Sequence, residues 1–319
     1  MNRAEYRRLL LALKEDPSCL GKFREKYKNI YPFSDAVFKI LMTGNPSRLV
    51  VFLNAMMGLE GKDRIKEFAF EPQEKPDELD KKRVIFDIVG RNERGEPVLV
   101  EVQQTSGKFY MDRLLYYTSR LIDTLKVNAA NYALPHIYVL SVLTCNQFPK
   151  EPETYFHHVR FFKNGEPFYH KLDFFFVEVE KFFEIDAKAP EERREKHKRA
   201  EMLRFFRRVI NEEKIPAPLF KDAFYGKLLE DLSLKKYEDK VLMMEVGAMT
   251  DLLYVKQVVY DKGIRRGERH GLRRGKALGK VEGAADAKRE MAKGFRDAGV
   301  PLDIIAKQSG LSEDEIRAL

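Results

Sequence analysis

The sequence has few cysteines, few histidines and no long apolar segment. Cys19 and Cys145 are the only two cysteines in 319 residues, which excludes a disulfide framework or a zinc knuckle. No apolar run approaches the ~20 residues that span a bilayer, and the apolar residues 9–13 are too few for a signal peptide. Zinc binding by His157, His158 and His170 is disfavoured, because neighbouring strand residues face opposite ways. These absences predict a globular protein of the reducing cytoplasm.

The charge balance is compatible with a polyanionic partner but does not require one. The chain has 58 Lys and Arg against 50 Asp and Glu, a formal net charge of +8. A basic balance suits nucleic acid, but many globular proteins share it. The identity of the partner must therefore come from local patterns.

Two short apolar segments, residues 83–90 and 97–104, flank the polar residues 91–96, which include Gly95. Both segments are rich in Val, Ile and Leu, a composition typical of strands that are covered on both faces. The short polar connection with a glycine predicts that the two segments pair as a β-hairpin.

Three polar side chains interrupt these apolar segments: Asp87, Glu101 and Gln103. If the turn is centred on Arg94, Asp87 lies directly opposite Glu101, and Gln103 shares their face of the sheet. Two crowded carboxylates repel each other, which a proton, a basic partner or a divalent cation would relieve. An edge pair that reaches solvent is the alternative. The apolar surroundings favour a metal site, and oxygen ligands suit Mg²⁺ or Mn²⁺.

The order Asp87, hairpin turn, Glu101-Val102-Gln103 resembles the core motif of the PD-(D/E)XK nucleases, in the variant with Gln in place of the usual Lys. Further features resemble one branch of that superfamily, the Rpn recombination-promoting nuclease and transposase family. They are residues 34–39 (SDAVFK), residues 109–117 (FYMDRLLYY) and a charged tail punctuated by glycine. The similarity runs from about residue 31 to residue 143 and resumes in the tail.

The resemblance implies an α/β fold with a restriction-endonuclease-like core. Such a core runs in the order helix, three strands, helix, strand, with a mixed sheet flanked by helices, and additional helices follow here at the C-terminus. The apolar pattern is compatible with that order. It predicts a helix capped by Ser34 or Asp35, a strand at residues 65–70, the hairpin, a helix from Phe109 to about Ala130, and a strand at residues 134–143.

The resemblance also implies the site residues. It assigns catalytic roles to Asp35, Asp87, Glu101 and Gln103, and it implies that Mg²⁺ or Mn²⁺ is bound by Asp87, Glu101 and the main-chain carbonyl of Val102. An amide such as Gln103 cannot act as a base near neutral pH, so charge stabilisation must come from nearby cations.

Four residues are expected to contact DNA: Lys39, Lys108, Arg113 and Tyr117. Asp35 and Lys39 are four residues apart and share one helix face. A capping aspartate with a surface ion pair is the alternative for this pair, and we favour the site role slightly. Tyr117 lies four residues after Arg113 on the later helix, and Arg113 is suited to bidentate phosphate binding.

The activity implied by the resemblance is metal-dependent endonucleolytic hydrolysis of DNA, with little sequence preference, in recombination or transposition. A catalytically weak DNA-binding or assembly protein that keeps the nuclease fold is the alternative. The sequence does not exclude RNA as the substrate.

Composition divides the chain into four regions. Residues 1–30 are expected to form a helical lead, residues 31–190 the nuclease core with an aromatic-rich extension, and residues 191–262 a helical region. Residues 263–319 form a basic tail with a Gly repeat and a helical hairpin. The aromatics of residues 155–183 are interpreted as core, although stacking on nucleobases is conceivable.

Glycines recur every four residues in the tail, at positions 263, 267, 271, 275, 279 and 283. Residues 262–283 hold eight Lys and Arg against two Glu. This segment could bind DNA, associate with another protomer or act as a linker, and its strict spacing favours association. Residues 291–319 resemble a small helix-turn-helix or a plain helical hairpin, with a capping box at residues 312–315.

Overall fold

A computed structural model describes residues 3–71, 87–125, 133–237, 246, 269, 271–273, 275–280 and 282–319. Contacts divide the chain into two compact units, Met1–Met249 and Thr250–Leu319. The predicted boundaries at residues 30, 190 and 262 stay predictions.

The described strands of the first unit form one six-stranded sheet. Its strands are β1 (Phe68–Phe70), β2 (Ile88–Asn92), β3 (Pro97–Gln103), β4 (Ile137–Leu143), β5 (Phe156–Lys163) and β6 (Glu166–Glu178). The spatial order is β1-β2-β3-β4-β6-β5, with β3/β4 and β4/β6 parallel and the other pairs antiparallel. This mixed sheet, flanked by helices, confirms the predicted α/β, restriction-endonuclease-like fold class.

The described helices of the first unit flank the sheet. They are α1 (Arg3–Glu15), α2 (Leu20–Lys26), α3 (Asp35–Thr43), α4 (Pro46–Met57), α5 (Tyr110–Asp123), α6 (Val179–Lys188), α7 (Lys198–Ile210), α8 (Ala217–Lys221) and α9 (Ala223–Asp231). Ser34 precedes α3 as its N-cap residue. Thr124 ends α5 earlier than predicted, because its N–H and its hydroxyl both donate to the carbonyl of Leu121. Residues 126–130 of the predicted helix lie outside the described part of the chain.

The sheet separates two hydrophobic cores, which fixes the orientation of the polar residues on β3. Val98, Val100 and Val102 belong to the larger core, which also contains side chains of α1–α4, α7 and α9. Leu99 belongs to the smaller core, beneath α5. Side chains alternate along a strand, so Glu101 and Gln103 follow Leu99 onto the face that α5 covers.

The hairpin has the predicted register with a tighter turn than predicted. Ile88 pairs with Val100 and Val89 with Leu99, as a turn centred on Arg94 requires. The Asn92 Oδ1 atom accepts the N–H groups of residues 94 and 96, both at 3.0 Å, and this allows β2 to continue to Asn92. Residues 83–86 of the predicted first strand lie outside the described ranges.

The aromatic region from residue 155 to 183 is only partly core, so the prediction was wrong for its hairpin tip. Phe174, Phe175 and Phe176 are buried, whereas the side chains of residues 161, 162 and 168 are exposed. The cause is the difference in strand length. The first residue of β4 pairs with Leu172, so the earlier part of β6 extends beyond β4 and its side chains meet solvent.

The second unit is helical where it is described. Residues 282–297 are helical, and two short helices, Leu302–Ser309 and Glu313–Ala318, follow. The capping box is confirmed, because Ser312 Oγ accepts from Glu315 N–H while Glu315 accepts from Ser312 N–H. Positions 271, 275, 279 and 283 of the Gly repeat have open space where a Cβ would lie. Gly263 and Gly267 lie outside the described residues.

Among the described residues, no single helix combines the length and apolar character needed to cross a membrane. Within the described ranges, α3 and α4 taken together are long and apolar enough, but a bend of 114° separates them.

Candidate active site

The open end of the β2–β3 hairpin brings Asp87 and Glu101 together. Asp87 lies one residue before β2, and continuing the hairpin register by one step places it opposite Glu101. The Asp87 Oδ2 atom accepts a hydrogen bond from the backbone N–H of Val102 at 2.6 Å. The acceptor for this N–H is thus a side-chain carboxylate, whereas within an antiparallel ladder the acceptor is a backbone carbonyl.

The main-chain carbonyl of Val102 faces the side on which Asp87 lies. Asn92 N–H donates to Glu96 C=O at the turn, and hydrogen-bonding pairs alternate along an antiparallel ladder. The backbone groups of Val98, Val100 and Val102 therefore point toward β2. On the β2 side of β3, next to the first residue of β2, the Asp87 carboxylate accepts the Val102 N–H.

Glu101 is buried with an incomplete set of hydrogen bonds. The residue is 6% exposed, and its Oε1 atom has no hydrogen-bond partner among the described residues. A buried carboxylate oxygen without a partner is costly unless a proton or a cation compensates it. This atom marks the position where the site is incomplete.

Burial raises the pKa values of both opposed carboxylates. Burial raises that of Asp87 to about 6, with the Asp35 charge adding to the shift and the Val102 hydrogen bond opposing it. Burial and the Asp87 charge raise the pKa of Glu101 to about 9, while Arg113 opposes the shift. The two groups therefore resist ionising together, and Glu101 is the one that keeps its proton at neutral pH.

Asp35 joins the two carboxylates from the first turn of α3. The Nε2 atom of Gln104 donates to Asp35 Oδ1 at 3.2 Å. The side chain reaches solvent, but crowding by protein atoms raises the pKa of Asp35 against the attraction of Arg113 and Lys39. The Asp35 charge in turn raises the pKa values of Asp87 and Glu101. Three acids therefore act on one another at this end of the sheet.

Gln103 is held between the end of β3 and helix α5. Its Nε2 atom donates to the carbonyl of Thr105 and, at 3.3 Å, to Thr105 Oγ1. Its Oε1 atom accepts from the Arg113 guanidinium. Both ends of the Gln103 amide are thus hydrogen-bonded, and the Oε1 atom orients the Arg113 guanidinium.

Arg113 attracts all three acids, Asp35, Asp87 and Glu101. Its guanidinium lies 5.3 Å from the ring centre of Tyr110 and 5.9 Å from that of Tyr117, distances at which cation–π attraction acts. The Tyr110 hydroxyl donates to Ser141 Oγ at 2.8 Å, which fixes the ring on which the Arg113 guanidinium lies. Contacts with Gln103, Tyr110 and Tyr117 thereby hold the Arg113 guanidinium in its orientation near the carboxylates.

The two predicted lysines differ in position. Lys39 on α3 attracts both Asp35 and Asp87 and belongs to the site. The Lys108 ammonium instead lies 5.4 Å from the ring centre of Phe109, an exposed residue just before α5.

The donor set fits a divalent cation held by few side chains. Within the described ranges, no group of three or more His, Cys, Asp or Glu residues is arranged to hold a metal alone. The cluster instead offers two carboxylates that resist joint ionisation, the unpartnered Glu101 Oε1 and the Val102 carbonyl on the same side. Hard oxygen ligands completed by water are the usual environment of Mg²⁺.

Sequence reasoning missed Gln104, Thr105 and Ser141. Gln104 and Thr105 follow directly after the motif, so their place at the strand end was a usable signal. Ser141 was not accessible in that way, because its neighbourhood depends on the parallel pairing of β3 with β4.

Residues 32–254 match the family model described as PD-(D/E)XK nuclease family transposase. No curated protein and no solved structure matches the chain. The matched range covers more than half of the chain and contains Asp35, Asp87, Glu101, Gln103 and Arg113. The chain therefore belongs to the PD-(D/E)XK nuclease family transposases.

Proposed function

We propose that this protein is a divalent-metal-dependent endodeoxyribonuclease that hydrolyses phosphodiester bonds with little sequence preference, in recombination or transposition. The observation that carries the proposal is the opposition of Asp87 and Glu101, both raised in pKa, with Glu101 Oε1 unpartnered. The nuclease and transposase family supports DNA as the substrate.

Asp87, Glu101 and the Val102 carbonyl would hold the cation, with Mg²⁺ or Mn²⁺ matching their oxygen atoms. When bound, such a cation polarises the scissile phosphate and lowers the pKa of a water molecule. Glu101 would give up its proton on binding, because the positive charge of the cation would lower the pKa that burial and the Asp87 charge raise. Asp35, which contacts Gln104 rather than β2, would reach the site through water.

Arg113 would supply the positive charge that the usual Lys provides elsewhere. A guanidinium binds phosphate oxygens bidentately and stays charged at every working pH. Gln103 holds Arg113 through its Oε1 atom, so Gln103 would act mainly as a positioning residue. Lys39 and Tyr117 would contact the phosphate backbone on either side, and Lys108 would contact it farther out.

Plasmid cleavage tests the proposal. Purified full-length protein with Mg²⁺ or Mn²⁺ should convert supercoiled plasmid to nicked and linear forms, and EDTA should prevent this. Binding without cleavage would instead identify a catalytically weak DNA-binding or assembly protein. Cleavage of a single-stranded RNA but not of plasmid would overturn DNA as the substrate.

If Gln103 acts through Arg113, their substitutions should not be additive. We expect Gln103→Ala to lower the cleavage rate about tenfold and Arg113→Ala about a hundredfold, with the double variant no slower than Arg113→Ala. Gln103→Lys should fold and show an altered pH profile, because an ammonium at this position can titrate. Arg120→Ala, on the same helix but paired with Asp123, is the control and should keep the wild-type rate. Additive losses, or wild-type kinetics for Gln103→Ala, would contradict this role.

We propose that the tail, residues 263–319, serves association between protomers rather than chemistry. Its glycines leave room for a close backbone approach, since described positions 271 to 283 have no neighbour within 4 Å of an added Cβ. Truncation after Lys262 should lower the number of protomers per particle, obtained from light scattering as the particle mass divided by the chain mass. It should keep metal-dependent cleavage, since every proposed site residue precedes the cut.

DNA binding by the tail would give a different result. Its basic segment would release counterions, so truncation would flatten the dependence of DNA affinity on salt while leaving the number of protomers per particle unchanged. No change in the number of protomers per particle, in DNA affinity or in its salt dependence would identify a passive linker.

A further inference from the structure

A cavity of about 620 Å³ lies within the unit Met1–Met249 and shares no residue with the candidate active site. The end of α4 with the loop after it, the start of α7 and the start of α9 form its walls. Arg64 lines it, and the Arg64 carbonyl accepts a hydrogen bond from Arg94 in the hairpin turn at 3.2 Å. The cavity therefore lies near the closed end of the hairpin, whereas Asp87 and Glu101 lie at the open end. Its volume is typical of small-molecule sites.

A buried guanidinium, that of Arg199, lies in the wall of this cavity. Only 9% of the residue is exposed. Its Nε atom donates to the carbonyl of Met56 at 2.6 Å, and the guanidinium carbon lies 3.3 Å from the ring centre of Phe156. Gly58, which also lines the cavity, leaves the space: a Cβ there would come within 2.9 Å of the Arg199 Nη2 atom.

Arg199 has no carboxylate in an ion pair within the described part of the chain. Its neighbours are a carbonyl, an aromatic ring and the Tyr155 hydroxyl, which itself bonds to Glu195. Burial lowers the pKa of Arg199, and the Tyr155 and Glu195 interactions offset this only partly. A buried charge with no carboxylate in direct contact is costly, and binding an anion would recover part of that cost.

The rest of the wall matches an anion that carries an apolar body. Arg64 and Lys198 add positive charge, and Lys198 begins α7, so the positive end of the helix dipole lies there. Of the two carboxylates in the wall, Asp222 already accepts from two N–H groups at the start of α9, and Glu60 is exposed. Met202 and Phe224 provide apolar surface.

We propose that this cavity binds a small organic anion, a phosphate or carboxylate with an apolar body, whose charged group pairs with Arg199. The apolar body would pack against Met202 and Phe224. The site is separate from the proposed nuclease centre, so a ligand here would be bound and not cleaved.

Fluorine NMR of three probes tests the proposal: para-fluorophenyl phosphate, para-fluorobenzoate and the neutral para-fluorobenzyl alcohol. Spectra are recorded with full-length protein in EDTA, which removes metal from the nuclease centre. We expect at least one anionic probe to broaden at about 1 mM or below, and the neutral alcohol to bind at least about tenfold more weakly.

Val51 supplies a matched pair of variants that leaves Arg199 in place. It lines the cavity from α4 and is 37% exposed, so a charged residue there should not prevent folding. We expect Val51→Glu to weaken binding of the anionic probe at least about tenfold, and Val51→Lys to keep or strengthen it. Arg199→Met should abolish binding, provided that its thermal transition stays cooperative.

Three results would overturn the proposal. They are no broadening by either anion, equal binding of the neutral alcohol, and equal effects of the Glu and Lys substitutions at residue 51. Both Val51 variants should retain plasmid cleavage, because Val51 lies outside the proposed nuclease centre. Failure of this inference would therefore be distinguishable from failure of the proposed function.

Discussion

Replacing either Asp87 or Glu101 with alanine is expected to lower metal-dependent plasmid cleavage about a hundredfold or more. Each substitution removes one of two side chains that would hold the cation, and the main-chain carbonyl of Val102 cannot do so alone. The cleavage rate is measured under single-turnover conditions with saturating Mg²⁺ and again with Mn²⁺. DNA affinity, measured in EDTA, should stay near the wild-type value, because cations such as Arg113 and Lys39 remain.

A matched control separates the site from a general effect of lost negative charge. Glu166 is an exposed carboxylate at the first residue of β6. The other end of that strand, at Glu178, lies on the side of the candidate site, because Glu178 pairs with Leu143 and Leu143 pairs with Gln103. Glu166→Ala should cleave at the wild-type rate. Wild-type cleavage by the Asp87 or Glu101 variant, with folding intact, would remove both residues from the proposed centre.

Without metal, the folded protein should lose stability as the pH rises, on the order of 5 kcal/mol between about pH 5 and about pH 8. The pKa of Asp87 is raised to about 6 and that of Glu101 to about 9, so the folded state binds more protons than the unfolded chain. Their favourable protonation is complete below the ordinary carboxyl pKa and is lost as the pH rises through the folded values. Urea unfolding in EDTA measures this slope.

Glu101→Gln tests the origin of that slope. The amide keeps the shape of the side chain and cannot ionise. The free energy of unfolding of the variant should therefore change little with pH above about pH 6, where Asp87 is already charged. At about pH 8 it should be more stable than wild type in EDTA. Glu166→Gln should follow the wild-type curve. A Glu101→Gln curve parallel to wild type across this range would contradict the assigned pKa values.

The pairing of Asp87 with Glu101 was predictable from sequence for a physical reason. A hairpin whose turn is centred on Arg94 pairs residues equidistant from it, and the side-chain period of two then assigns each residue to a face. The turn itself was narrower than predicted, but its centre did not move, so the register was unaffected.

The contacts that complete the cluster could not be predicted in the same way. The hydrogen bond from Val102 N–H to the Asp87 carboxylate depends on the conformation of the Asp87 side chain, which no residue pattern signals. The link between Arg113 and Gln103 depends on how α5 lies across the sheet. Exposure of the aromatic hairpin tip depends on the relative lengths of β4 and β6, which were not evident from composition.

Calorimetric titration of the full-length protein with Mn²⁺, in two buffers of different ionisation enthalpy at about pH 7.5, tests the central claim most directly. If Asp87 and Glu101 hold the cation, binding should release about one proton, because Glu101 must ionise. Glu101→Gln should bind more weakly and release almost none. Equal affinity and equal proton release in wild type and Glu101→Gln would show that the cation binds elsewhere and would contradict the account.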